Sequence, residues 1–178
     1  GVRFHRAHYG DVWLRDTGPI FVTRGHERAA ACFHWNGWGG KYLMPGDASV
    51  STWVAGAAGV PAWDQGFVLE GGAVEVDGEG TVMTTKQCLL GGSRNPGVDQ
   101  AAATKLLEDA LGADHVIWLD RGLANDHTDG HIDTLARFVA PGVAVAMAPT
   151  GDDPNREALD GIIADLRAAK DARGRALE

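Results

Sequence analysis

The stretch NDHTDGHIDTLARFV, residues 125–139, packs three aspartates and two histidines around one glycine, immediately before an apolar run. Its second half recurs near the start of the chain. When Asp133 is aligned with Asp16, GHIDTLARFV (130–139) falls on WLRDTGPIFV (13–22), and the two segments share an Asp-Thr pair and a Phe-Val pair. The chain therefore contains an internal repeat in which a carboxylate precedes an apolar segment.

A third, weaker copy lies between these two. FVLEGGAVEV (67–76) carries Glu70 where the other copies carry Asp16 and Asp133, at spacings of 54 and 63 residues. A period of this size is typical of repeat architectures in which each repeat is one supersecondary unit. If the units pack around a common axis, the three carboxylates converge on one place.

Strand and helix patterns follow the same order in each copy. The first repeat predicts two strands and a helix capped by Ser49 and stopped by Pro61, at residues 20–23, 29–35 and 50–58. The second predicts three strands and a helix that Gly112 caps, at residues 73–76, 81–90, 115–119 and 99–111. The third predicts a helix opened by Asp153 and Pro154 after a hairpin at residues 135–139 and 143–148. The sequence therefore predicts an α/β fold of ββαβ units.

Length, composition and net charge limit the kinds of domain, ligand and location that fit this sequence. The 178 residues are 44% hydrophobic, and we expect one domain over residues 1–178, incomplete because the sequence begins without Met and stops where a further strand would begin. The net charge of -8 argues against a nucleic-acid partner and favours a cationic or neutral ligand. With no long apolar run and no leader, we expect no membrane span and a cytoplasmic protein.

The three carboxylates predict a site for a cation. Asp16, Glu70 and Asp133 would repel one another in a shared pocket unless a positive charge lay between them. A guanidinium suits such a pocket because it stays protonated and offers paired, planar donors to carboxylates. If residues 131–133 form a strand, His131 shares a face with Asp133 and supplies a general acid or base beside the ligand.

A metal site is the alternative interpretation of residues 126–133. His127 and His131 are four residues apart, with Asp126, Asp129 and Asp133 around them. Two histidines at this spacing make a ligand pair on a helix, and the intervening residues are poor helix formers. The two cysteines, Cys32 and Cys88, fall in predicted apolar strands away from the acids and are expected to be packing residues rather than nucleophiles.

Several motifs resemble those of the agmatine deiminase and bacterial-type peptidylarginine deiminase family. They occur in family order along nearly the whole chain, as WLRDTGP, NGWGGKY, FVLEGG, EVDGEG, QCLL with RNP, and DGHID with RFV. The resemblance implies a five-repeat α/β propeller of ββαβ units, of which about three are present, and no metal or organic cofactor. It also implies that Asp16 and Asp133 hold a guanidinium, Glu70 lines the same site, His131 transfers protons and Trp13 lies nearby.

Two departures from the family pattern stand out. The family nucleophile is a cysteine in a G-x-H-C segment, and nothing in these 178 residues matches it. His127 replaces a glutamate that is usual in agmatine deiminases. We expect hydrolysis of agmatine to N-carbamoylputrescine and ammonia, with an isolated chain that is inactive. The alternatives are a protein-arginine deiminase acting on peptidyl arginine, a non-catalytic binding module and a metal-dependent hydrolase. A homo-oligomer is compatible with the sequence.

Overall fold

The computed structural model describes residues 1–178. They form two compact units, Gly1–Gly71 and Gly72–Glu178. The first unit consists of a short helix, a hairpin, a second helix and a returning strand: α1 (Leu14–Thr17), β1 (Ile20–Arg24), β2 (Glu27–His34), α2 (Val50–Ala58) and β3 (Ala62–Val68). In its sheet, β2 is the middle strand, antiparallel to β1 and parallel to β3. This is the predicted ββαβ order.

Small side chains on the middle strand allow α2 to pack closely on the sheet. Ala30 and Cys32 of β2 form a buried cluster with Ala55 of α2. The helix has the predicted bounds, and Ser49 occupies the predicted N-cap position without a capping hydrogen bond from its side chain. The Ser49 hydroxyl donates to a carbonyl of the preceding turn instead of capping the helix. Gly59, with a left-handed φ of 67°, ends the helix before the chain reaches the proline.

The second unit repeats the order and adds a third hairpin and helix. Its elements are β4 (Glu75–Val76), β5 (Thr81–Thr85), α3 (Lys86–Leu90), α4 (Gln100–Leu111), β6 (His115–Leu119), β7 (Ala136–Ala140), β8 (Val143–Ala146) and α5 (Arg156–Ala168). Strand β5 is antiparallel to β4 and parallel to β6, and β7 pairs with β8. After α5 the chain forms only an isolated bridge between Lys170 and Ala176.

Local capping explains where the sequence prediction holds and where it is wrong. Helix α4 is confirmed, with Asp99 accepting from the Ala102 N–H at its start and Gly112 at its end. The predicted strand 81–90 is wrong beyond Thr85, because the Thr85 hydroxyl accepts from the Cys88 N–H and starts α3.

The last helix also begins later than predicted. Its first residue is Arg156, and the preceding residue, Asn155, occupies the N-cap position. The Asp153 carboxylate accepts from the Asn155 N–H in the turn before the helix, so it does not cap α5 itself. None of the helices is both long and apolar enough to span a membrane.

The core of the second unit lies where α5 packs with strands of the β4–β5–β6 sheet and with the segment before β7. Its buried residues come from β5, β6, the segment 132–136 and α5: Met83, Ile117, Leu119, Ile132, Leu135, Ala136, Leu159, Ile162 and Leu166. Ile132 has no exposed surface and lies between His131 and Asp133 in the chain. The core therefore fixes the main chain at Ile132, between two of the predicted site residues.

Candidate active site

In the first unit, the predicted acid Asp16 is buried and held by an indole. Asp16 lies in α1, and Trp13 occupies the N-cap position of that helix, with its own ring half exposed. The Trp38 Nε1–H donates to Asp16 Oδ2 over 3.0 Å. A charged acceptor makes this a strong hydrogen bond, and it fixes the direction of the carboxylate.

Trp38 is a residue that the sequence prediction missed. It belongs to the NGWGGKY segment, in which no site residue is predicted from the sequence, and the structure shows a tight turn at Gly37–Gly40. Trp38 has a left-handed φ of 53°, and the Asn36 side chain accepts from the Gly39 N–H. The available clue was a tryptophan among glycines, because a buried indole N–H needs an acceptor.

Glu70 is the most deeply buried of the predicted acids. It has no exposed surface and follows directly after β3 and Leu69. The next residue, Gly71, lies so close to the Arg15 carbonyl that a Cβ atom would overlap its oxygen. The segment that carries Glu70 therefore contacts the helix that carries Asp16, and the first unit brings two of the three acids onto neighbouring segments.

In the second unit, His131 follows a loop with unusual backbone angles. Asn125, Asp129 and Gly130 have positive φ values of 61°, 63° and 95°. Gly130 packs against Gly122 with no space for a Cβ on Gly122. The loop delivers His131, which is 2% exposed, into the protein interior.

Residues 131–133 do not form the strand on which the expected pairing of His131 with Asp133 depended. Residues Ile132–Thr134 form one turn of 3₁₀ helix, which precedes β7. The His131 Nδ1 and Asp133 Oδ1 atoms nevertheless lie 4.0 Å apart. A tight turn, rather than the alternation of a strand, brings this pair together.

Asp126 organises the loop that precedes His131. Its carboxylate accepts from the Thr128 N–H at 3.0 Å, the Thr128 hydroxyl at 2.6 Å and the Gly130 N–H at 2.9 Å. Burial by itself raises the pKa of Asp126. The hydrogen bonds from Thr128 and Gly130, together with the charge of His131, outweigh burial and hold the pKa below its ordinary value.

This pKa shift predicts an acid-dependent contribution to stability. Because the folded-state pKa of Asp126 lies below the ordinary value of 3.8, the charged carboxylate stabilises the fold above that pH, and the stabilisation is lost as the pH falls through the folded-state pKa. We expect the difference in free energy of unfolding between the wild type and Asp126→Asn to be constant at about pH 5 to 7 and to shrink below about pH 4.

Urea unfolding across this pH range measures the difference. Asp152→Asn, which changes an exposed aspartate of the same unit, is the matched control and should alter stability little at any pH. An Asp126→Asn deficit that is equally large at acid and neutral pH would contradict the prediction.

The surroundings of the two histidines differ from those of a helix-borne metal pair. The His127 side chain is 65% exposed, whereas that of His131 is 2% exposed. The backbone between them is a turn with left-handed residues, and the Asp126 carboxylate already accepts three hydrogen bonds from it. A pocket of about 440 Å³ is lined in part by Asp126 and Asp129, and His131 is not among its lining residues.

Both cysteines are buried thiols. Burial raises the pKa of the Cys32 thiol in β2, which suits a packing role. The prediction that Cys88 lies in a strand away from the acids is wrong. It lies in α3, its Sγ is 3.9 Å from the Thr128 carbonyl oxygen, and it lies within 4.8 Å of a His131 ring nitrogen.

Comparisons with known proteins give the same family as the sequence motifs. The chain is 42% identical to the agmatine deiminase of Stutzerimonas stutzeri over 176 residues, which are 94% of this chain and 48% of that protein. It is 39% identical to the agmatine deiminase of Ectopseudomonas mendocina over 175 residues, again 94% and 48% of the two chains. The chain thus spans about half the length of the curated relatives it matches.

Solved structures confirm the predicted fold class, a partial α/β propeller of ββαβ units. A structure of the agmatine deiminase of Enterococcus faecalis matches with a TM-score of 0.87 and 35% identity, over 93% of this chain and 48% of that one. A C. jejuni agmatine deiminase with substrate bound matches with a TM-score of 0.87 and 29% identity, over 99% and 53%. Since the family model also matches residues 2–178, the chain belongs to the Porphyromonas-type peptidyl-arginine deiminase family.

Proposed function

We propose that this chain provides the guanidinium-binding and proton-transfer part of an agmatine deiminase. The observation that carries the proposal is the set of deeply buried ionisable side chains at the predicted positions. Asp16 and Glu70 are 9% and 0% exposed, and His131 is 2% exposed. Buried ionisable side chains of this kind cluster at functional sites, and carboxylates favour a cationic ligand, so the set supports a site for a guanidinium.

In the proposed roles, Asp16, Glu70 and Asp133 accept hydrogen bonds from the guanidinium nitrogens of the substrate. Trp38 keeps the Asp16 carboxylate oriented for this purpose. Trp13, whose ring is half exposed at the start of α1, lies against the substrate. Two or more carboxylates on one planar cation fix its orientation, which lowers the entropic part of the barrier.

The proposed reaction proceeds through a covalent intermediate. A thiolate supplied from beyond these residues attacks the guanidinium carbon and forms a C–S bond. The C–N bond to one terminal nitrogen then breaks, and His131 gives that nitrogen the proton with which it leaves as ammonia. His131 next takes a proton from water, whose oxygen displaces the thiolate and yields N-carbamoylputrescine. This chain's part is to hold the cation and to move the proton.

We expect the 178-residue chain to release no ammonia from agmatine. A protein extended along the reading frame to the stop codon, called the extended protein below, should release it. The reason is that both cysteines of the 178 residues are buried in packed positions. The assay measures ammonia and ureido product from equal amounts of the two proteins. Product from the shorter chain that disappears in Cys88→Ala would contradict the expectation and place the nucleophile within these residues.

A protein-arginine deiminase is the second candidate, because the matching family model is named for peptidyl-arginine deiminases. An arginine-containing peptide assayed beside agmatine separates the two substrates. An extended protein that binds agmatine without turnover would instead favour a binding module.

We also propose a cytoplasmic location, since both cysteines are thiols and a reducing compartment keeps them so. A homo-oligomer without nucleic-acid or membrane partners completes the proposal.

A further inference from the structure

The main chain of His131 is held by two threonine hydroxyls. The His131 N–H donates to Thr128 Oγ over 3.2 Å, and the Thr134 hydroxyl donates to the His131 carbonyl over 2.9 Å. Thr134 belongs to the 3₁₀ turn that the core fixes through Ile132. Thr128 belongs to the irregular loop before His131, so its position needs another source of support.

That support comes from Asp126 and Arg94, which hold Thr128 at different atoms. The Thr128 hydroxyl donates to Asp126 Oδ2 at 2.6 Å, and its N–H donates to Asp126 Oδ1. The Arg94 Nη2–H donates to the Thr128 carbonyl at 2.7 Å, and Nη1–H donates to Asp129 Oδ2 at 3.1 Å. Arg94 has a side chain with no exposed surface. Thr128 is thereby fixed from within its loop and from the segment after α3.

The direction of the hydroxyl proton follows from these contacts. The Asp126 carboxylate can only accept, so the Thr128 hydroxyl proton points to it. The oxygen of that hydroxyl then has a lone pair to receive the His131 N–H. Donation to a carboxylate makes the hydroxyl oxygen a better acceptor. The hydrogen bonds therefore run in one direction, from the His131 N–H to the Thr128 hydroxyl and from that hydroxyl to the Asp126 carboxylate.

We propose that Thr128 is a positioning residue for His131, whose hydroxyl links the His131 main chain to the Asp126 carboxylate and so sets where the imidazole stands. The proposal rests on the proposed function, in which His131 transfers the proton. Thr128 itself is 7% exposed, and its hydroxyl accepts from the main-chain N–H of the histidine. Its effect therefore falls on the chemical step more than on binding of the guanidinium.

The test compares Thr128→Val with Thr128→Ser in the extended protein, because valine keeps the shape and removes the hydroxyl while serine restores it. We expect Thr128→Val to lower kcat for agmatine by about 10²-fold with little change in KM, since misplacing a catalytic group by about 1 Å has this effect. Thr128→Ser should recover most of kcat. Thr104→Val is the matched control: its hydroxyl accepts from the Trp118 indole, away from His131, and its loss should leave kcat unchanged.

Hydrogen exchange gives a readout that does not depend on activity. The peptide that contains the His131 amide should exchange faster in Thr128→Val than in the wild type and should be restored in Thr128→Ser. If Thr128→Val fails to fold, Thr128→Ala removes the same hydroxyl with less bulk and has the same expected result.

Unchanged kcat in an active Thr128→Val protein, or unchanged exchange at His131, would overturn the proposal. A wild-type protein that hydrolyses neither agmatine nor an arginine peptide would overturn the proposed function, and the exchange measurement would then decide the role of Thr128 by itself.

Discussion

Replacement of His131 with asparagine in the extended protein is expected to lower the turnover of agmatine by about 10²- to 10⁴-fold, the range that a general acid or base contributes. The imidazole is 2% exposed and its Nδ1 lies 4.0 Å from the Asp133 carboxylate, so it stands beside one of the acids proposed to hold the guanidinium. Because asparagine retains a polar side chain of smaller volume, the fold should survive.

The measurement is the initial rate of ammonia release, together with a thermal unfolding curve for each protein. His115→Asn is the matched control, since His115 is an exposed histidine at the start of β6 in the same unit. Turnover of His131→Asn within a few fold of the wild type would return His131 to a structural role and would remove the proton carrier from the proposed reaction.

Ile132→Ala is expected to reduce both stability and turnover, whereas Leu159→Ala should reduce stability alone. Both residues belong to the core of the second unit, with 0% and 1% exposure, and each truncation should cost about 2 to 5 kcal/mol of unfolding free energy. Ile132 lies between His131 and Asp133, so the collapse of its cavity also moves these two proposed site residues. We expect turnover to fall by about 10²-fold for this reason.

Urea unfolding and the rate of ammonia release at a temperature where both variants stay folded separate the two effects. The comparison is informative because the two truncations remove buried side chains of the same core, one beside His131 and the other from α5. Equal turnover in both variants would mean that the core stabilises the unit without setting the position of His131.

Elements whose determinants are local could be predicted from the sequence. The hairpin β1–β2, the helices α2 and α4 and the strand β6 each follow from a short periodic pattern with a turn or cap at its end. The stretch Thr81–Leu90 could not be divided correctly by periodicity, since its apolar residues fit a strand or a buried helix equally well. The Thr85 hydroxyl decides it by capping α3.

Some residues of the candidate site could likewise be predicted from the sequence and others could not. The repeat alone points to Asp16, Glu70 and Asp133, because equivalent positions carry the same charge. The supporting residues could not be found in this way, since each acts on a partner far along the chain. Trp38 donates to an acid 22 residues earlier, and Arg94 donates to a carbonyl 34 residues later. Contacts of this kind come from tertiary packing and produce no periodic pattern in the sequence.

The contact between Gly122 and Gly130 has a consequence for redesign of the loop. A Cβ on Gly122 would overlap the Gly130 Cα, and a Cβ on Gly130 would lie 3.2 Å from Gly122 at a left-handed φ, so both positions favour glycine. A loop transplanted from a relative in order to change the residue at position 127 would therefore need the segment around Gly122 to come with it. The smallest exchangeable module is the pair of segments, and a library that varies residues 125–131 alone should keep Gly130.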